Sequence, residues 1–351
     1  MAQFIDLYAG IGGFRFAFEL YNNTCVFSSE WDRYSKLTYN AFHGETPFGN
    51  IHEIDNINAE IPDHDILAAG FPCQPFSLAG VSKKNSLGRL HGFEDPTQGT
   101  EFFKIKEILR LKRPAAFLLE NVKNLKSHDN GNTFEIITDS LRNVGYTFAT
   151  KILDAAGWVP QHRERIFFIG FRNDLGITHA DITLLFPLKP IQRIYELEDI
   201  IMPEQIINKL YGDKYTIGPG TWDTLQRHKK DHLEKGNGFG FSMISQPYKG
   251  KITRTMSARY PKDGAEILIE QAGKRPRRLT PLEACKLQGF PERCYPFYNG
   301  TFQQPVSDTQ AYKQFGNSVA VPVISALAQN ITALIDERNL LVHRRHEIIH
   351  V

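Results

Sequence analysis

The sequence predicts an α/β fold, with a mostly parallel β-sheet in a first domain and a second, smaller, irregular domain after it. Two observations support this prediction. Apolar runs rich in β-formers alternate with helical patterns through the first half of the chain, and such alternation is typical of parallel sheets covered by helices. After Gly170 the regular periods become fewer, while glycine, proline and basic residues become more frequent.

Each element is predicted from its local pattern. Helices are predicted over residues 100–112 and 132–144, where apolar residues recur every three or four positions. An amphipathic helix is predicted over 319–337. Because no helix precedes the first strand, we expect this last helix to cover it. The buried strands are predicted at 4–8, 25–29, 65–70, 116–121 and 165–171.

The second half contains only short β-like pieces, such as EILIEQ at 266–271. We therefore expect a first domain over residues 1–185 and the smaller domain over 186–300. The C-terminal segment, 301–351, is expected to return to the first domain, because it carries the amphipathic helix.

Composition excludes several classes of protein. With 351 residues, of which 41% are apolar, the chain can bury a sizeable core. It has no run of about 18 apolar residues and no signal peptide, so we expect neither membrane insertion nor export. The four cysteines lie far apart, which predicts neither a disulfide framework nor a metal site. The net charge of +2 gives no support to nucleic-acid binding.

A glycine-rich loop follows the first predicted strand. Gly10, Gly12 and Gly13 lie between a strand and a helix, where a nucleotide-type cofactor can approach the backbone closely. The spacing is not that of dinucleotide enzymes, but Glu30 follows the second strand, where an acid can bind ribose hydroxyls. Trp31 could stack on an adenine or belong to the core. The alternative is a tight turn followed by a solvated acid.

Cys73 stands in an unusual place for a packing cysteine. Cys25 and Cys285 fall in a strand and a helical stretch and fit the role of small buried hydrophobes. Cys73 instead lies in a loop between Pro72 and Pro75, just after a buried strand. Ligands bind at such strand ends, so a thiolate there can act as a nucleophile on a substrate.

Five motifs in order resemble those of the DNA (cytosine-5)-methyltransferases. They are FIDLYAGIGG at 4–13, GFPCQPFS at 70–77, ENV at 120–122, QHRER at 161–165 and QFGNSVAVPV at 314–323. The resemblance covers almost the whole chain. It implies a Rossmann-like fold dependent on S-adenosylmethionine, with a target-recognition domain as the smaller domain. The implied reaction methylates carbon 5 of a cytosine flipped out of duplex DNA, releases S-adenosylhomocysteine and needs no metal.

The resemblance also implies catalytic roles. Cys73 would add to ring carbon 6, because carbon 5 of cytosine is a poor nucleophile until that addition. Glu120 would donate a proton at ring nitrogen 3. Arg165 would contact the base carbonyl, and Arg163 would position the site from behind it. The alternative for Glu120 is an ordinary surface carboxylate at the end of a strand. The alternative for Arg163 and Arg165 is that they form surface salt bridges. No side chain stands out as the base that removes the carbon 5 proton, so water or hydroxide would serve.

For the cofactor, the resemblance implies contacts from the glycine loop, the ends of the next strands and the last motif. One position departs from the family pattern, since Asn50 stands where an aspartate is frequent, although an amide can still hydrogen-bond near an adenine. The implied set is Tyr8, Gly10, Ile11, Gly12, Gly13, Glu30, Trp31, Asn50, Ile51, Pro72, Asn317 and Ser318.

DNA binding is predicted from charge and loop composition. Base extrusion needs polar loops, and residues 78–95, rich in Gly, Ser, Lys and Arg, could close over DNA. Residues 247–280 contain nine basic residues against three acidic ones, which is typical of a phosphate-binding surface. The stretches VSKKNSLGR at 81–89, KGNGFGF at 235–241, TRTMSARY at 253–260 with KDGAEILI at 262–269, and PVSDTQAYKQFGNSV at 305–319 resemble those of bacterial enzymes whose targets have CC and GG outer bases, such as CCWGG. The contact of Thr255 with the flipped nucleotide's backbone is implied by the resemblance. The candidate contacts are Ser77, Lys83, Lys84, Arg89, Arg254, Thr255, Ser257 and Arg259.

Three alternatives stay open at this point. An RNA cytosine-5 methyltransferase would use the same motifs, and a catalytically silent DNA-binding regulator would keep the fold. A dinucleotide-dependent oxidoreductase would explain only the glycine loop and Glu30. The preferred interpretation is a monomeric bacterial enzyme of a restriction-modification system, cytoplasmic and associated with the nucleoid through DNA. A cognate restriction endonuclease would act on the same site without direct contact.

Overall fold

The computed structural model describes residues 1–72, 101–193, 195–237, 240–295 and 303–341. Five predicted site residues, together with the predicted loop 78–95, lie outside the described residues. These five are Cys73, Ser77, Lys83, Lys84 and Arg89.

A six-stranded sheet forms the centre of the molecule. Its strands are β1 (Gln3–Leu7), β2 (Thr24–Ser29), β3 (Ile66–Gly70), β4 (Ala116–Val122), β5 (Tyr146–Asp154) and β6 (Glu164–Arg172). They lie in the order β2-β1-β3-β4-β6-β5. All neighbouring pairs among the first four are parallel, whereas β6 is antiparallel to both β4 and β5. The predicted α/β fold with a mostly parallel sheet is confirmed, and β5 is a strand that the sequence pattern did not predict.

Helices connect the strands and continue through the rest of the chain. Those within the first part are α1 (Gly13–Glu19), α2 (Arg33–His43), α3 (Ile57–Glu60), α4 (Glu101–Lys112), α5 (Asn132–Asn143) and α6 (His179–Leu184). The later ones are α7 (Leu197–Ile200), α8 (Glu204–Tyr211), α9 (Pro219–Glu234), α10 (Tyr260–Asp263), α11 (Pro281–Leu287), α12 (Asp308–Asn317) and α13 (Val321–Glu337).

The sheet is covered on both faces because its strands are apolar on both sides. On one face α4 and α5 bury residues at helical spacing, among them Ile105 and Ile137. On the other face α13 packs beside α1, and Ile324 and Leu327 share one buried cluster with Phe4 of β1. The last helix therefore lies where the sequence pattern placed it, over the first strand.

The second half builds a smaller sheet and a core of its own. Strands β7 (Met243–Ile244), β8 (Leu268–Gln271) and β9 (Lys274–Arg277) lie in that order. Arg277 at the end of β9 binds Glu283 of α11 through two contacts of 2.8 Å, both side chains being buried. This core also takes in Phe16 of α1 and Phe42 of α2, so it continues directly into the first part of the molecule.

In the described ranges, no single helix is both long and apolar enough to cross a bilayer. Helices α12 and α13 meet that test of length and composition only together, across a bend of 40°.

Candidate active site

A cleft of about 490 Å³ opens at the carboxyl ends of β1, β3 and β4, the edge where ligands bind in open α/β sheets. It brings together residues that are far apart in the chain. Eleven predicted site residues line it, namely Tyr8, Gly10, Ile11, Gly13, Glu30, Trp31, Pro72, Glu120, Arg165, Asn317 and Ser318.

The glycine loop forms one wall of this cleft through a tight turn. Gly12 donates its N–H to the carbonyl of Ala9 (2.8 Å) and has a φ of 82°, in the left-handed region that favours glycine. A β-carbon on Gly12 would lie 2.0 Å from Nε2 of His43. Gly12 therefore shapes the loop from behind the cleft and is not among the residues that line it.

Glu30 holds the loop from the neighbouring strand. Its two carboxylate oxygens accept the N–H of Gly10 (2.8 Å) and the N–H of Asp32 (2.7 Å). Burial raises the pKa of Glu30, and these backbone donors oppose that rise. Each oxygen keeps a further lone pair for a ligand hydroxyl. Beside it, Trp31 is 76% exposed and lines the cleft, so its ring is available for stacking and does not belong to the core.

The cleft is also lined by two residues that the motifs did not single out, Asp32 and Lys313. Asp32 caps α2 by accepting the N–H of Tyr34 and of Ser35, and its other oxygen lies 3.6 Å from Nζ of Lys313 on α12. Both Asp32 and Lys313 line the cleft. The aspartate before an amphipathic stretch is a recognisable N-cap signal, but the pairing depends on packing across 281 positions.

Two predicted cofactor residues lie elsewhere. The Asn50 side chain accepts the N–H of His52 (3.1 Å) and caps a short 3₁₀ helix. Ile51 is buried in the core cluster under the sheet. Neither is among the described residues that line the cleft, because local capping and core packing occupy both side chains. Their contact with a cofactor stays a prediction.

Glu120 and Arg165 lie together at one end of the cleft. Register places Glu120 beside Gly70 of β3, and Arg165 of β6 opposite Val122. The Nε of Arg165 lies 3.0 Å from Oε1 of Glu120. A β-carbon on Gly70 would lie 3.3 Å from Oε2 of the same carboxyl group, so the glycine leaves room for it. Burial raises the pKa of Glu120, while Arg165 and then Arg163 oppose the rise.

The residues that follow β3, Phe71 and Pro72, are held at the same end of the cleft as Glu120. Nδ2 of Asn121 donates to the carbonyl of Phe71 (2.9 Å), and Phe71 and Pro72 line the cleft. The ENV motif therefore holds the segment that immediately precedes the predicted nucleophile.

Arg163 lies behind the cleft and does not line it. Its side chain is 2% exposed and donates to the carbonyls of Met256 (3.1 Å), Gly316 (3.0 Å) and Ser318. Burial, and next the charge of Arg165, lower its pKa to about 9, while Glu120 opposes the decrease. This position agrees with a role in holding the site and excludes direct contact with a molecule in the cleft.

The basic segment 247–280 approaches the QHRER motif directly. Thr253 pairs with Gln161 in a parallel bridge, and Oγ1 of Thr255 donates to the carbonyl of His162. Arg254 donates to the carbonyl of Gly240 (2.7 Å). The other two described candidates for DNA contact, Ser257 and Arg259, lie next along the same segment, and Ser257 hydrogen-bonds Glu266.

Across the ranges that the structure describes, no group of three or more His, Cys, Asp and Glu side chains could hold a metal ion.

Known proteins resemble this chain over nearly its whole length. The family model described as C-5 cytosine-specific DNA methylase matches residues 2–333. The Type II methyltransferase M.NlaX of Neisseria lactamica is 48% identical over 338 residues, covering 95% of this chain and 97% of the relative. The DNA-cytosine methyltransferase of Escherichia coli (strain K12) is 45% identical over 371 residues, covering 93% and 76%.

A solved structure, that of the S. pombe Dnmt2 methyltransferase, superimposes with a TM-score of 0.72 at 20% identity and covers 97% of this chain and 100% of its own. That likeness supports the fold. The family matches confirm the resemblance inferred from the five motifs, and the chain therefore belongs to the C-5 cytosine-specific DNA methylases.

Proposed function

We propose that this DNA-cytosine methyltransferase acts through a covalent adduct between Cys73 and a cytosine extruded from duplex DNA. The observation that carries the proposal is the ion pair between the buried Glu120 and the partly buried Arg165 at the end of a cleft of about 490 Å³. In this arrangement a carboxyl group whose pKa is raised by burial lies next to a cation at the carboxyl end of β3, three positions before Cys73 in the sequence.

The first step is addition of the Cys73 thiolate to ring carbon 6. A carbon–sulfur bond forms, the electron pair of the ring double bond moves towards carbon 5, and ring nitrogen 3 takes a proton from Glu120. The raised pKa of Glu120 supports this role, because burial favours the protonated form that the step consumes. Arg165 then stabilises the carboxylate that remains.

The last step reverses the addition. Water or hydroxide removes the proton from the methylated carbon 5, the double bond between ring carbons 5 and 6 forms again, the thiolate of Cys73 leaves, and ring nitrogen 3 returns its proton to Glu120. Cys73 itself lies outside the described residues, so its placement here rests on the motif and on Phe71 and Pro72, which precede it in the cleft wall.

The residues present fit S-adenosylmethionine, which supplies an electrophilic methyl group when bound. The glycine loop leaves open backbone beside the cleft, and Glu30 has lone pairs for ribose hydroxyls. The exposed ring of Trp31 is suited to stack on an adenine. Asn317 and Ser318 would close the last wall.

We assign DNA binding to the segment around Thr255 in the target-recognition region, 186–300. Arg254, Ser257 and Arg259 flank it, and the nine-to-three excess of basic residues over 247–280 supports phosphate contacts. Residues 1–185 would form the catalytic domain, to which 301–351 returns, as the packing of α13 on α1 supports. The target would be CCWGG-like or another CC…GG site.

We further propose that the enzyme acts as a monomer in the bacterial cytoplasm, associated with the nucleoid through DNA. Its methylation would protect host DNA from an endonuclease that acts on the same site. The Type II name of the Neisseria lactamica relative supports this role.

Replacement of the nucleophile tests the mechanism. Cys73→Ala is expected to abolish transfer of label from S-adenosylmethionine to duplex DNA, whereas Cys25→Ala, in a strand away from the cleft, retains it. Duplex DNA with 5-fluorocytosine at the target is expected to trap a covalent complex, because fluorine does not leave as a proton does. Normal transfer by the Cys73 variant would contradict the mechanism, and transfer to RNA alone would favour the RNA alternative.

Bisulfite sequencing of DNA from cells that express the protein tests the target. We expect protected cytosines within one CC…GG sequence. Protection spread over unrelated sequences, or none at all, would contradict the proposed specificity.

A further inference from the structure

Arg163 joins two parts of the chain that serve different ligands. One nitrogen of its guanidinium donates to the carbonyl of Met256, and the other donates to the carbonyls of Gly316 and Ser318. Met256 belongs to the segment assigned to DNA, whereas Gly316 and Ser318 line the cofactor cleft. We call these four residues the Arg163 junction.

The buried charge in this junction is held by carbonyl dipoles. In the described part of the chain Arg163 forms no ion pair, although its side chain is almost completely buried. A buried charge without a counterion is costly unless each donor finds an acceptor. The three carbonyls satisfy the two terminal nitrogens of the planar fork, a geometry that lysine does not offer, whereas Nε has no hydrogen-bond partner among the described residues. Any shift of one carbonyl therefore changes the interaction of the guanidinium with the others.

The two segments also touch directly. A β-carbon on Gly316 would lie 2.3 Å from the carbonyl carbon of Ser257, so only a glycine allows α12 to pack so close. On the other side, Oε1 of Gln161 accepts the N–H of Met256 (2.8 Å). The Arg163 junction is thus closely packed between α12, which lines the cleft, and the segment around Met256.

We infer that Arg163 couples occupancy of the cofactor cleft to DNA binding. The inference rests on the proposed function, which assigns the two segments to the two ligands. A ligand that displaces the Ser318 carbonyl displaces the guanidinium as well, and the guanidinium in turn displaces Met256 between Thr255 and Ser257. The second ligand then meets a segment that already has the position set by the first, which is positive coupling between the two sites. Arg163 is in this sense a positioning residue.

The coupling is measurable as a ratio of affinities. Fluorescence anisotropy gives the Kd of a short duplex carrying the sequence found by bisulfite sequencing, with and without S-adenosylhomocysteine. In the wild type we expect S-adenosylhomocysteine to tighten DNA binding about 5-fold or more. In Arg163→Lys the factor is expected to decrease below about 2-fold, while each ligand still binds alone.

Gly316→Ala disturbs the same junction through the contact between Gly316 and Ser257. This variant replaces Arg163→Lys in the experiment if the Arg163→Lys protein does not fold. The matched control is Arg172→Lys at the far end of β6. Arg172 is also a buried arginine that donates to a backbone carbonyl, that of Arg113 (2.6 Å). The Arg172→Lys protein is expected to have a lower Tm than the wild type. Its DNA affinity should nevertheless increase with S-adenosylhomocysteine by the same factor as in the wild type.

Two results would overturn the inference. One is a wild-type coupling factor of one, and the other is an unchanged factor in a folded Arg163→Lys or Gly316→Ala protein. Failure of the proposed function would look different, because the wild type would then transfer no label to DNA and bisulfite sequencing would define no duplex.

Discussion

Arg165 lies diagonally across the β4–β6 pair from Glu120, with 3.0 Å between Nε of the arginine and Oε1 of the carboxyl group. The partner opposite Glu120 in the register is Phe167, and the partner opposite Arg165 is Val122. Diagonal neighbours on one face of an antiparallel pair are within reach of long side chains. The sheet itself therefore sets this contact, and the burial that raises the pKa of Glu120 comes with it.

Removal of the carboxyl group of Glu120, which we propose as the proton donor, should slow the chemical step. For Glu120→Gln we expect kcat to decrease by about 10²- to 10⁴-fold, since a positioned acid contributes about that much. Affinity for S-adenosylhomocysteine, measured by calorimetry, should stay within about 2-fold because the change is confined to the catalytic end. Glu164→Gln is the matched control, as Glu164 is a neighbouring surface residue paired with Lys123. A kcat near that of the wild type in Glu120→Gln would remove Glu120 from the mechanism.

Asp6 predicts a pH dependence of stability. Asp6 is completely buried in β1, and burial raises its pKa from 3.8 to about 8, opposed by the charge of Arg15. The folded protein therefore binds a proton that the unfolded chain releases above pH 3.8. The stability that this proton contributes is fully present below pH 3.8 and is lost as the pH rises to about 8.

For Asp6→Asn we accordingly expect a flatter dependence. The free energy of unfolding, measured by urea denaturation from pH 5 to pH 8, should fall less steeply with rising pH in this variant than in the wild type, because the amide does not ionise. Identical slopes for the two proteins would show that Asp6 ionises normally in the fold.

Lys313 should help to retain the cofactor. The ion pair between Lys313 and Asp32 spans the mouth of the cleft at 3.6 Å and is partly exposed, so it contributes about 1 kcal/mol or less. For Lys313→Met we expect the Kd of S-adenosylhomocysteine to rise up to about 5-fold. The difference from the wild type should shrink at high salt.

Lys214→Met provides the comparison for this prediction. Lys214 pairs with Asp308 at the start of the same helix, α12, but does not line the cleft. A similar loss of affinity in both variants would point to α12 as a whole and not to the ion pair at the mouth.

Gly12 should tolerate no side chain. In Gly12→Ala the new β-carbon meets the His43 ring at 2.0 Å and the backbone is held at a φ of 82°. Gly44→Ala is a matched control with a φ of 76° and no atom within 4 Å of the new carbon. That control carries only the backbone cost, about 1 to 2 kcal/mol.

We therefore expect Gly12→Ala to lose S-adenosylhomocysteine affinity by more than about 10-fold and to lower Tm further than Gly44→Ala does. Combination with His43→Ala should restore part of the affinity, because it removes the clashing ring. If the two glycine variants behave alike, packing against His43 does not shape the loop.

The strands and helices with strong periods were predictable from sequence, and those without a fully buried face were not. Strand β5 lies at the edge of the sheet, where Ile152 is exposed and polar residues interrupt the apolar run, so it lacks the pattern of a buried strand. Helix α9 has 16 residues but buries only Leu225 among them. Helix propensity alone, without a stripe of apolar residues along one face, is a weak signal for predicting a helix.

The candidate site divides in the same way. The resemblance of the motifs to a known family led to Glu120 and Arg165, and the position of an acid after the second strand led to Glu30. Lys313 could not be predicted from a motif, because its partner Asp32 is distant in the chain and only the packing of the fold brings the two together. Asn50 shows the converse, because its local capping bond competes with the role that the motif suggested.

The reversed direction of β6 makes the active site sensitive to strand alignment. A slip of one residue against β4 would turn Arg165 to the opposite side of the sheet, where the helices α4 and α5 pack, and would leave Glu120 buried without its cation. Such a misaligned chain would keep most of its backbone hydrogen bonds, yet Glu120, the proposed proton donor, would lack the arginine beside it. For this enzyme, methyl-transfer activity is thus a more sensitive measure of correct folding than secondary-structure content.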